Sequence, residues 1–349
     1  MAPQPSEARF SWIAFRVARW SARPASVLLR DVFGRDMVDT RKYSAASMAR
    51  EGHDPGHPSA GLALHLATQK AIQEKRASLG CGAILLGLLV LACVLACRCS
   101  APSLRVATFN IENYPRDARQ VEGAFATIEE LGAPVVAVQE ITDPRAFEVA
   151  ARAHLGDTYR FVHDEGGQLQ HVGVLYDASR FELAYARTHR ETRLGPLGKP
   201  TLEVRLRRRG RGPALRVFVV HLKAGGDSSH IRREQLRQLT PLLRAAADSW
   251  DDVMLLGDFN ATGPEDRETL RELALRTHLE WASEHLECTS YWNRSDGCRG
   301  AALDHVFRRE RPRSVDARGP CESIGCSPGD RCPAFHREVS DHCPVTIDL

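Results

Sequence analysis

A layered α/β domain is the fold class that the sequence predicts for residues 101–349, because short β-rich stretches alternate there with helical ones. Three of these stretches contain the runs VVAV, VFVV and VMLL, which are apolar at every position. Such runs are typical of strands that are covered on both faces. Residues 229–247 instead place apolar side chains at helical spacing, as a single stripe. The pattern therefore favours strands enclosed by helices.

The elements follow one another without an internal repeat or a low-complexity linker. Each predicted strand is a short β-rich stretch, and the predicted helices lie between these stretches. The strands, in order, are LRVATFN, PVVAVQEI, HVGVLY, LEVRLRRR, LRVFVVHLK, VMLLGDFN, LDHVFR and HCPVTIDL. The helices are predicted through 121–131, around 147–154, from 229 to 247 and from 266 to 276.

The formal net charge of +3 hides a difference between two parts of the chain. Residues 101–349 carry 34 Lys and Arg against 37 Asp and Glu, whereas residues 1–100 carry 13 against 7. The large C-terminal part is therefore not a basic body that grips polyanions by bulk charge. We expect an anionic substrate to be held locally, by a metal ion or by a few placed cations.

Residues 79–98 are predicted to be a hydrophobic anchor or a lipoprotein-type signal. Positions 79–97 read LGCGAILLGLLVLACVLAC and contain no charge. Cations precede the segment, so a membrane anchor would keep the N-terminus inside and translocate the rest of the chain. A second interpretation is a bacterial lipoprotein leader, since Val-Leu-Ala-Cys resembles a lipobox with Cys97 or Cys93 as the lipidated residue. A buried helix of a soluble domain is the third. The first two interpretations both export residues 101–349.

Residues 1–78 are rich in Arg, Ala, Ser and His and show no sustained apolar period. A cleavable leader does not normally carry so long a segment in front of it. We interpret these residues as a poorly ordered tail, or as the result of a start codon placed too early, with translation beginning nearer Met48. No function is assigned to them.

The ten cysteines form two groups, four in or beside the apolar segment and six in the last quarter of the chain. The six late cysteines permit three disulfides, and sequence alone does not choose among the connectivities. We expect Cys288 to pair with Cys298. A disulfide-tied region implies an oxidising compartment. Zinc is the other interpretation, but repeated CxxC pairs and ligand-spaced histidines are absent.

Polar side chains that bind metals or move protons follow apolar runs five times in residues 101–349. They are Asn110, Glu140, His221, Asp258 with Asn260, and Asp341 with His342, and Asp304 in AALDHVF is a sixth case. A single buried carboxylate is usually a hydrogen-bonded structural group. Charges are costly to bury unless they are paired or bind a metal, so the recurrence predicts that these side chains converge on one site.

The motifs FNIEN, VQEI, VLY, HLK, GDFNA, LDHV and SDHCPV occur in this order between Leu104 and Leu349. As an ordered set they resemble the endonuclease/exonuclease/phosphatase superfamily, the deoxyribonuclease-I-like metal-dependent phosphodiesterases. The resemblance implies a four-layer α/β sandwich, in which helices flank two central β-sheets. It also implies that the site lies at one edge, where the strand ends meet.

A metal centre for Mg²⁺ or Mn²⁺ follows from the same resemblance. Glu140 would be the principal ligand, with Asn110 beside it and Asp341 completing an oxygen-rich shell. Hard divalent cations prefer such carboxylate and amide oxygens and keep several waters. The cofactor that we expect is therefore a divalent cation held by these three residues.

The resemblance assigns the chemistry to five further residues. His342 would contact the scissile phosphate and exchange protons, oriented by Asp304. Asp258 would orient or deprotonate the attacking water, while Asn260 donates a hydrogen bond to a phosphate oxygen. His221 would supply a second phosphate contact or protonate the leaving oxygen. No member of this set is a covalent nucleophile, so direct attack by water is favoured.

Two positions depart from the family pattern or leave it open. Tyr176 is either a further phosphate contact or an aromatic residue that closes a core strand. In secreted deoxyribonucleases of the family, an acidic residue just before the VLY strand pairs with the histidine that matches His221. This chain carries Gln168, Gln170 and His171 there. We therefore expect His221 to be less basic than its counterpart.

Two stretches bear on the substrate. LRRRGRGPALR, residues 206–216, has five arginines at a predicted hairpin tip. It would lie along a phosphate backbone or would simply be a solvated hairpin. TSYWNRSDGC contains Tyr291 and Trp292, which would stack on a base, meet a lipid interface, or leave one ring buried in a structural loop.

The leading hypothesis is an exported, membrane-tethered, monomeric nuclease or general phosphodiesterase. The alternative is a phospholipid-directed phosphodiesterase or phosphatase, such as a sphingomyelinase. A hypothesis from another class is a catalytically dead binding module. That hypothesis predicts erosion of the site, and the main positions show none.

Overall fold

The computed structural model describes Lys70 and residues 104–166, 169–195 and 197–349. The predicted anchor or signal at 79–98 lies outside the described residues, as do residues 1–69 and 71–78 of the predicted tail. Within the described part of the chain, no helix is long and apolar enough to cross a membrane. From residue 104 onward the fold is built on two six-stranded sheets.

The first sheet combines strands from both ends of the domain. Its members are β1 (Arg105–Tyr114), β2 (Val135–Ile141), β3 (Tyr159–His163), β4 (His171–Asp177), β13 (Ser314–Ala317) and β14 (Val345–Asp348). They lie in the order β13-β14-β1-β2-β4-β3. β1 and β2 are parallel, and the other neighbours are antiparallel.

The second sheet has the same plan, with one parallel pair near its centre. Its members are β5 (Phe181–His189), β6 (Thr201–Arg208), β7 (Leu215–His221), β8 (Asp252–Asp258), β9 (Glu280–Trp281) and β12 (Asp304–Arg308). They lie in the order β5-β6-β7-β8-β12-β9, and only β7 and β8 are parallel. A separate hairpin consists of β10 (Ser290–Arg294) and β11 (Gly297–Ala301).

Helices connect the parallel strands and cover the outer faces of the sheets. They are α1 (Ala118–Leu131), α2 (Pro144–Leu155), α3 (Ser229–Ala247), α4 (Pro264–Thr277), α5 (Pro320–Ser323) and α6 (Ala334–Glu338). Asp117 and Asp143 cap α1 and α2, because their side chains accept backbone N–H groups of the first turn. Arg232 on α3 is buried and pairs with Asp266 on α4 at 2.7 Å, which ties these two helices together.

Three apolar clusters define four layers. The central cluster joins Val106 and Val135 of the first sheet to Val217 and Met254 of the second. A second cluster packs α1 and α2 on the outer face of the first sheet, and a third packs α3 and α4 on the outer face of the second. The order is helices, sheet, sheet, helices, which confirms the predicted α/β sandwich.

The strongly apolar elements lie where the sequence predicts them. Helix α3 has the predicted bounds, 229–247, and the other three predicted helices are observed with slightly extended ends. The structure adds six strands. Four of them are the edge strands of the two sheets, with partly exposed, more polar residues, and two form the separate hairpin: β3, β5, β9 and β13, and β10 with β11. Such strands lack the apolar run that marks a strand enclosed on both faces.

The cysteine pairing differs from the expectation. Cys298 pairs with Cys332, and Cys321 pairs with Cys343. The predicted bond between Cys288 and Cys298 is therefore wrong. Cys298 lies on β11, and its backbone N–H donates to Gly329 O at 2.9 Å, so the chain around residue 329 brings Cys332 to it. Cys288 is closer to Cys298 in the sequence, but the fold of the chain around residue 329 places Cys332 beside Cys298 instead.

Candidate active site

Asn110 joins the two sheets at the edge where their parallel strands end. Its side chain is fully buried. Asn110 Nδ2 donates to Glu140 Oε1 at 3.2 Å and to Asp258 Oδ2 at 3.0 Å, while Oδ1 accepts from the backbone N–H of Glu112 at 3.0 Å. Glu140 ends the apolar run of β2 in the first sheet, and Asp258 ends β8 in the second. One carboxamide thus sets the spacing of two carboxylates from different sheets.

The backbone at this edge is strained. Glu112, Asn113, Glu140 and Asn260 all have positive φ, between 41° and 63°. Among the described non-glycine residues, only His278 at the end of α4 shares this property. Residues held in the left-handed region cost free energy, and they cluster where side-chain placement matters for function. The strain therefore marks the same edge as the polar side chains.

Asp258 is buried, and the charged groups around it shift its pKa in opposite directions. Its Oδ1 accepts from the backbone N–H of Asn260 at 2.8 Å, and its Oδ2 accepts from Asn260 Nδ2 at 3.1 Å. Burial raises the pKa of Asp258 to about 7, a rise opposed by His342 and reinforced by Asp304 and Glu140. Asn260 Nδ2 also donates to Leu222 O at 3.1 Å. In this arrangement Asn260 holds Asp258, and its donation to a phosphate oxygen stays a prediction.

His221 faces both of these carboxylates without bonding to either. Its Nε2 lies 3.7 Å from Glu140 Oε1 and 3.6 Å from Asp258 Oδ2. Its Nδ1 is buried and has no hydrogen-bond partner within the described residues. Burial lowers the pKa of His221 well below its usual value, and the charges of Lys199 and His342 lower it further. This direction agrees with the expectation that His221 is weakly basic.

His342 and Asp304 form a buried pair. His342 Nδ1 donates to Asp304 Oδ2 at 2.8 Å, which leaves Nε2 at 3.9 Å from Asp258 Oδ2. Burial alone would lower the pKa of His342, but the carboxylates of Asp304 and Asp258 raise it well above the usual value. Asp304 lies opposite Asp258 in the β8–β12 register, so strand pairing brings these two carboxylates together.

Two residues that the sequence did not single out support this pair. Thr289 Oγ1 donates to Asp304 Oδ2 at 2.8 Å and accepts the backbone N–H groups of Leu303 and Asp304 at 2.9 Å. Ser340 Oγ donates to Asn110 O at 2.7 Å and accepts the backbone N–H of His342 at 3.0 Å. Ser340 opens the SDHCPV motif, but Thr289 follows no apolar run and gave no signal.

The arrangement fits a divalent cation. Burial raises the pKa of Glu112, and the nearby charges of Asp341 and Glu140 raise it further, although Arg116, which pairs with Glu112 at 2.8 Å, lowers it. Asp341 is one-third exposed, and its backbone N–H donates to Glu112 Oε2 at 3.2 Å. Carboxylate oxygens gathered at an open edge are donors that Mg²⁺ and Mn²⁺ prefer. Glu140, His221 and Asp258 also present ligand atoms within 4.8 Å of one another.

Gln170 and Lys199 complete the site; the sequence indicated Gln170 only as a departure from the family pattern and gave no indication of Lys199. Gln170 Nε2 donates to Glu140 Oε2 at 2.8 Å, so the residue that departs from the family pattern binds the predicted metal ligand instead of His221. Lys199 is half-buried, and burial lowers its pKa although Glu140 and Asp258 oppose this. It precedes β6, whose Leu202 pairs with Val219 near the end of β7. A single lysine in a loop carries no sequence signal.

The structure does not bring Tyr176 to the site. Tyr176 pairs with Val135 at the start of β2, whereas Glu140 lies near the end of that strand. The ring is buried in the cluster between the sheets. The assignment of Tyr176 to the phosphate is therefore corrected, and the residue is the aromatic that closes a core strand. Gln168 lies outside the described residues.

The arginine-rich hairpin also lies away from the site. β7 begins after the hairpin tip and ends at His221, so the two are separated by about 20 Å of strand. Arg207 pairs with Glu182 at 2.9 Å, and Arg216 pairs with Glu203 at 2.7 Å. These contacts favour the solvated hairpin over a phosphate-binding surface at the catalytic edge.

The two aromatic residues of β10 have different environments. Tyr291 is buried, and its hydroxyl donates to Gly325 O at 2.6 Å. Trp292 is half-buried and lines a groove of about 710 Å³ together with Thr262, Ser229 and Arg294. Thr262 follows Asn260 by two residues, so this groove begins beside the catalytic edge. Tyr291 is structural, and Trp292 is available to a substrate.

Residues 107–342 match the sequence model of the Endonuclease/Exonuclease/phosphatase family. The chain belongs to this family. The match spans every site residue from Asn110 to His342 and confirms the resemblance seen in the motifs. The family fold is that of a phosphoric ester hydrolase. No curated protein sequence matches the chain.

Solved structures of the family share this fold. D. rerio TDP2 complexed with single-strand DNA product is 16% identical, with a TM-score of 0.56 over 71% of this chain and 99% of that chain. An endonuclease/exonuclease/phosphatase family protein from Bacteroides thetaiotaomicron is 14% identical, with a TM-score of 0.53 over 71% and 97%. The mannosyl-6-phosphatase Bt3783 of the same organism is 15% identical, with a TM-score of 0.52 over 70% and 98%.

Proposed function

We propose that this chain is a divalent-metal-dependent phosphodiester hydrolase whose substrate is nucleic acid. The observation that carries the proposal is the convergence at one edge of both sheets. Asn110 binds the carboxylates of Glu140 and Asp258 from different sheets, and the His342–Asp304 pair presents Nε2 to the same point. A metal-binding oxygen set beside an oriented histidine is the arrangement that phosphoester hydrolysis requires.

Glu140, Asp341 and Asn110 would hold Mg²⁺ or Mn²⁺. When bound, the cation would neutralise negative charge that develops on the phosphate. Gln170 and the backbone N–H of Asn113 bind the second carboxylate oxygen of Glu140 at 2.8 and 3.1 Å. These donors fix the orientation of the principal ligand.

Asp258 is placed to orient the attacking water and to take its proton. It is buried, both of its oxygens accept hydrogen bonds from Asn260, and no arginine lies against it among the described ion pairs. A carboxylate that is held by amides keeps its capacity to accept a proton. None of the site side chains described above is a thiol or a free hydroxyl, so direct attack by water is the reaction path.

The two histidines have different roles. His342 is oriented by Asp304 through Nδ1, so its Nε2–H is free to donate to the phosphate and to exchange a proton. His221 has no partner at Nδ1 among the described residues, and Lys199 lies on the same side of the site. We assign His221 and Lys199 to phosphate contact, and proton exchange to His342.

Nucleic acid is the preferred substrate because of the groove beside Asn260. Trp292 offers a half-buried indole on which a base can stack, and Arg294 offers a cation on the same strand. The similar D. rerio TDP2 structure was solved with a single-strand DNA product, which supports this choice. The overall negative balance of residues 101–349 is compatible with binding that depends on these local contacts.

We place the enzyme outside the cytoplasm, tethered by the apolar segment at 79–97. Two disulfides in the C-terminal part support an oxidising compartment. Whether the segment acts as an anchor or as a lipoprotein signal is tested by labelling with a radioactive fatty acid. Incorporation that is lost in a Cys97→Ser variant would identify the lipoprotein.

The test of function uses the purified full-length chain and four substrates. These are supercoiled plasmid DNA, single-stranded RNA, sphingomyelin and a phosphorylated sugar, each with Mg²⁺, with Mn²⁺ and with EDTA. We expect cleavage of nucleic acid that requires the metal and that is lost in His342→Ala. Tyr176→Phe is the matched control, since this residue is buried away from the site, and it should retain wild-type turnover.

Each remaining outcome changes a defined part of the proposal. Hydrolysis of sphingomyelin alone would replace nucleic acid by a phospholipid, and hydrolysis of the sugar phosphate alone would make the enzyme a phosphatase. Cleavage that persists in EDTA would contradict the metal assignment. A folded chain that hydrolyses none of the four substrates would favour the non-catalytic binding module.

A further inference from the structure

Cys288 and Cys326 are the two late cysteines that remain outside the disulfides of the structure, and they lie against each other. Their side chains belong to one apolar cluster, and each thiol shifts the pKa of the other. Both also pack on Gly300, where an added Cβ would lie 2.6 Å from Cys288 Sγ and 3.2 Å from Cys326 Cα. The absence of a side chain at position 300 is what lets the two cysteines approach.

The backbone on both sides of this pair is held in place. The Tyr291 hydroxyl donates to Gly325 O at 2.6 Å, next to Cys326. The Cys321–Cys343 disulfide holds the chain five residues earlier, and the Cys298–Cys332 disulfide holds it six residues later. The two thiols therefore meet inside a cluster that consists of the six late cysteines, Tyr291 and Ala317.

We propose that Cys288 and Cys326 form a third disulfide in the exported protein. Thiol–disulfide exchange with an oxidised dithiol oxidoreductase, or with oxidised glutathione, supplies the oxidising equivalents. The more exposed Cys326 attacks the oxidant as a thiolate and forms a mixed disulfide. Cys288 then attacks Cys326 Sγ, and the oxidant leaves as a thiol. Two protein thiols become one disulfide, and one oxidant disulfide becomes two thiols.

The bond is expected to form while the segment is still folding. In the folded domain, burial raises the pKa of Cys288, and it raises the pKa of Cys326 to about 12. Thiolates are the reactive species, so buried neutral thiols exchange slowly. Cys288 is 5% exposed, which also keeps a bulky oxidant away from it. Once closed, the same burial protects the disulfide from reductants.

This disulfide would act on the catalytic pair through one residue. Thr289 follows Cys288 directly and holds Asp304 through Oγ1 at 2.8 Å. Its carbonyl oxygen accepts the backbone N–H of Cys343 at 2.7 Å, beside His342. Linking Cys288 to Cys326 therefore fixes the strand that positions both members of the pair. Cys288 and Cys326 are positioning residues and do not touch the substrate.

The direct test is a peptide map of the full-length chain, purified from an oxidising compartment, denatured in N-ethylmaleimide and digested with trypsin without reductant. Cleavage after arginine isolates Cys288 in 277–294, and it leaves Cys321 and Cys326 together in 319–331. We expect 277–294 to elute only as a covalent species with 319–331 and 338–349, which reduction separates. Recovery of 277–294 with N-ethylmaleimide on Cys288 would overturn the proposal.

A set of variants tests the consequence for the site. Cys288→Ser, Cys326→Ser and the double variant should show the same fall in Tm, because either change removes the whole bond. They should also show the same reduction of kcat, with KM unchanged. Independent, additive losses from the two changes would mean that the thiols act separately, and they would contradict the disulfide. Tyr176→Phe again serves as the control, with Tm and kcat near wild type.

Discussion

The two ends of β8 each carry a buried aspartate, and their surroundings are opposite. Asp252 begins the strand and accepts hydrogen bonds from Arg308 at 2.9 and 3.0 Å, with Arg208 at 3.5 Å. Asp258 ends the strand and accepts only from amides, with two histidines at 3.6 and 3.9 Å. Both side chains are almost fully buried. The two aspartates are thus similarly buried, but they differ in their hydrogen-bonding and ionic partners.

The two ends of β8 show the difference between a charge that stabilises the fold and a charge that serves the site. At the first end, guanidinium groups satisfy the carboxylate, and a second pair, Arg205 with Asp251 at 2.7 Å, repeats the arrangement. At the second end, carboxylates of both sheets face one another and two histidines, and no arginine pairs with Asp258 among the described residues. A buried charge that its own chain leaves uncompensated is costly. Such a charge persists where it serves a metal or a substrate.

The largest expected effects come from removing the charge at each end of β8. Asp258→Asn should reduce turnover by roughly 10³-fold or more, since the group that takes the proton is lost. Its thermal stability should stay equal or rise, because burial disfavours the carboxylate that is removed. Asp252→Asn leaves Arg308 buried without its partner and should cost about 3–5 kcal/mol of unfolding free energy. The measurements are kcat and urea denaturation of both variants.

Turnover per folded molecule provides the internal control for this pair. It should be near wild type in Asp252→Asn, because the arginine contacts lie at the far end of the strand. Equal losses of activity in the two variants, or a lower stability of Asp258→Asn than of Asp252→Asn, would contradict these different roles of the two aspartates.

Metal binding provides the next test, with Glu140 and Glu203 as a matched pair. Mg²⁺ or Mn²⁺ should raise the Tm of the wild-type chain, because the cation binds the folded state only. Glu140→Gln should abolish this rise. Glu203 instead bonds to His189, Tyr185 and Arg216, which are not site residues, and these contacts lower its pKa to about 2 despite burial.

Glu203→Gln should therefore lower the Tm without metal and keep the full metal-induced rise. Thermal unfolding of both variants at increasing metal concentration separates the two cases. A rise that survives in Glu140→Gln would move the cation away from the predicted ligand set.

The polar residues at the strand ends could be predicted from the sequence for a physical reason. Apolar runs that stop on Asp, Glu, Asn or His identify strand ends, and parallel strands direct their ends to one edge, so Asn110, Glu140, His221 and Asp258 were found. Lys199 and Thr289 were not, and the contact of Gln170 with Glu140 was not predicted, because each residue reaches the site from a loop or from the neighbourhood of a short strand. Tyr176 ends a strand as well, but β4 runs antiparallel to β2, and its end lies at the other edge.

The cysteines show a second limit of sequence reasoning. Cys288 and Cys298 are close in the chain, and their side chains nevertheless take different partners, because residues 319–333 fold over the β10–β11 hairpin. Contacts made by an irregular segment follow from packing and carry no periodic pattern. The segment 79–97, by contrast, is strongly patterned, and its interpretation stays a prediction.

A smaller effect is expected at His305, a buried titratable group to which no charged side chain bonds among the described residues. Burial, together with the charge of Arg267, lowers the pKa of His305 to about 3. In the unfolded chain the pKa is about 6.5, so the unfolded state binds the extra proton first as pH falls. Stability should therefore decline between about pH 6.5 and about pH 3, by at most ~1.4 kcal/mol per pH unit from this group.

The measurement is the urea midpoint of wild type and His305→Gln at pH 7 and pH 4.5. The variant should lose less stability on acidification than the wild type. An identical decline would show that His305 is protonated in the folded state, against the effect of burial.

The smallest effect is expected at the arginine hairpin, at the same edge as Asp252. Replacing Arg209 and Arg211 by Ala should leave kcat/KM for nucleic acid within about twofold, since exposed charges a strand length away are screened. Kinetics with plasmid DNA at two salt concentrations are the appropriate measurement. A loss of tenfold or more would show that nucleic acid extends across both edges.

Gly257, which precedes Asp258 on β8, helps to predict which related sequences are active. Its φ is +133°, and an added Cβ would collide with Val220 O of the neighbouring strand. Any larger residue must push β7 and β8 apart at the step where His221 lies opposite Asp258. We therefore expect a relative that keeps both polar residues but lacks this glycine to be inactive. A residue without a functional group thus becomes a practical marker of catalysis.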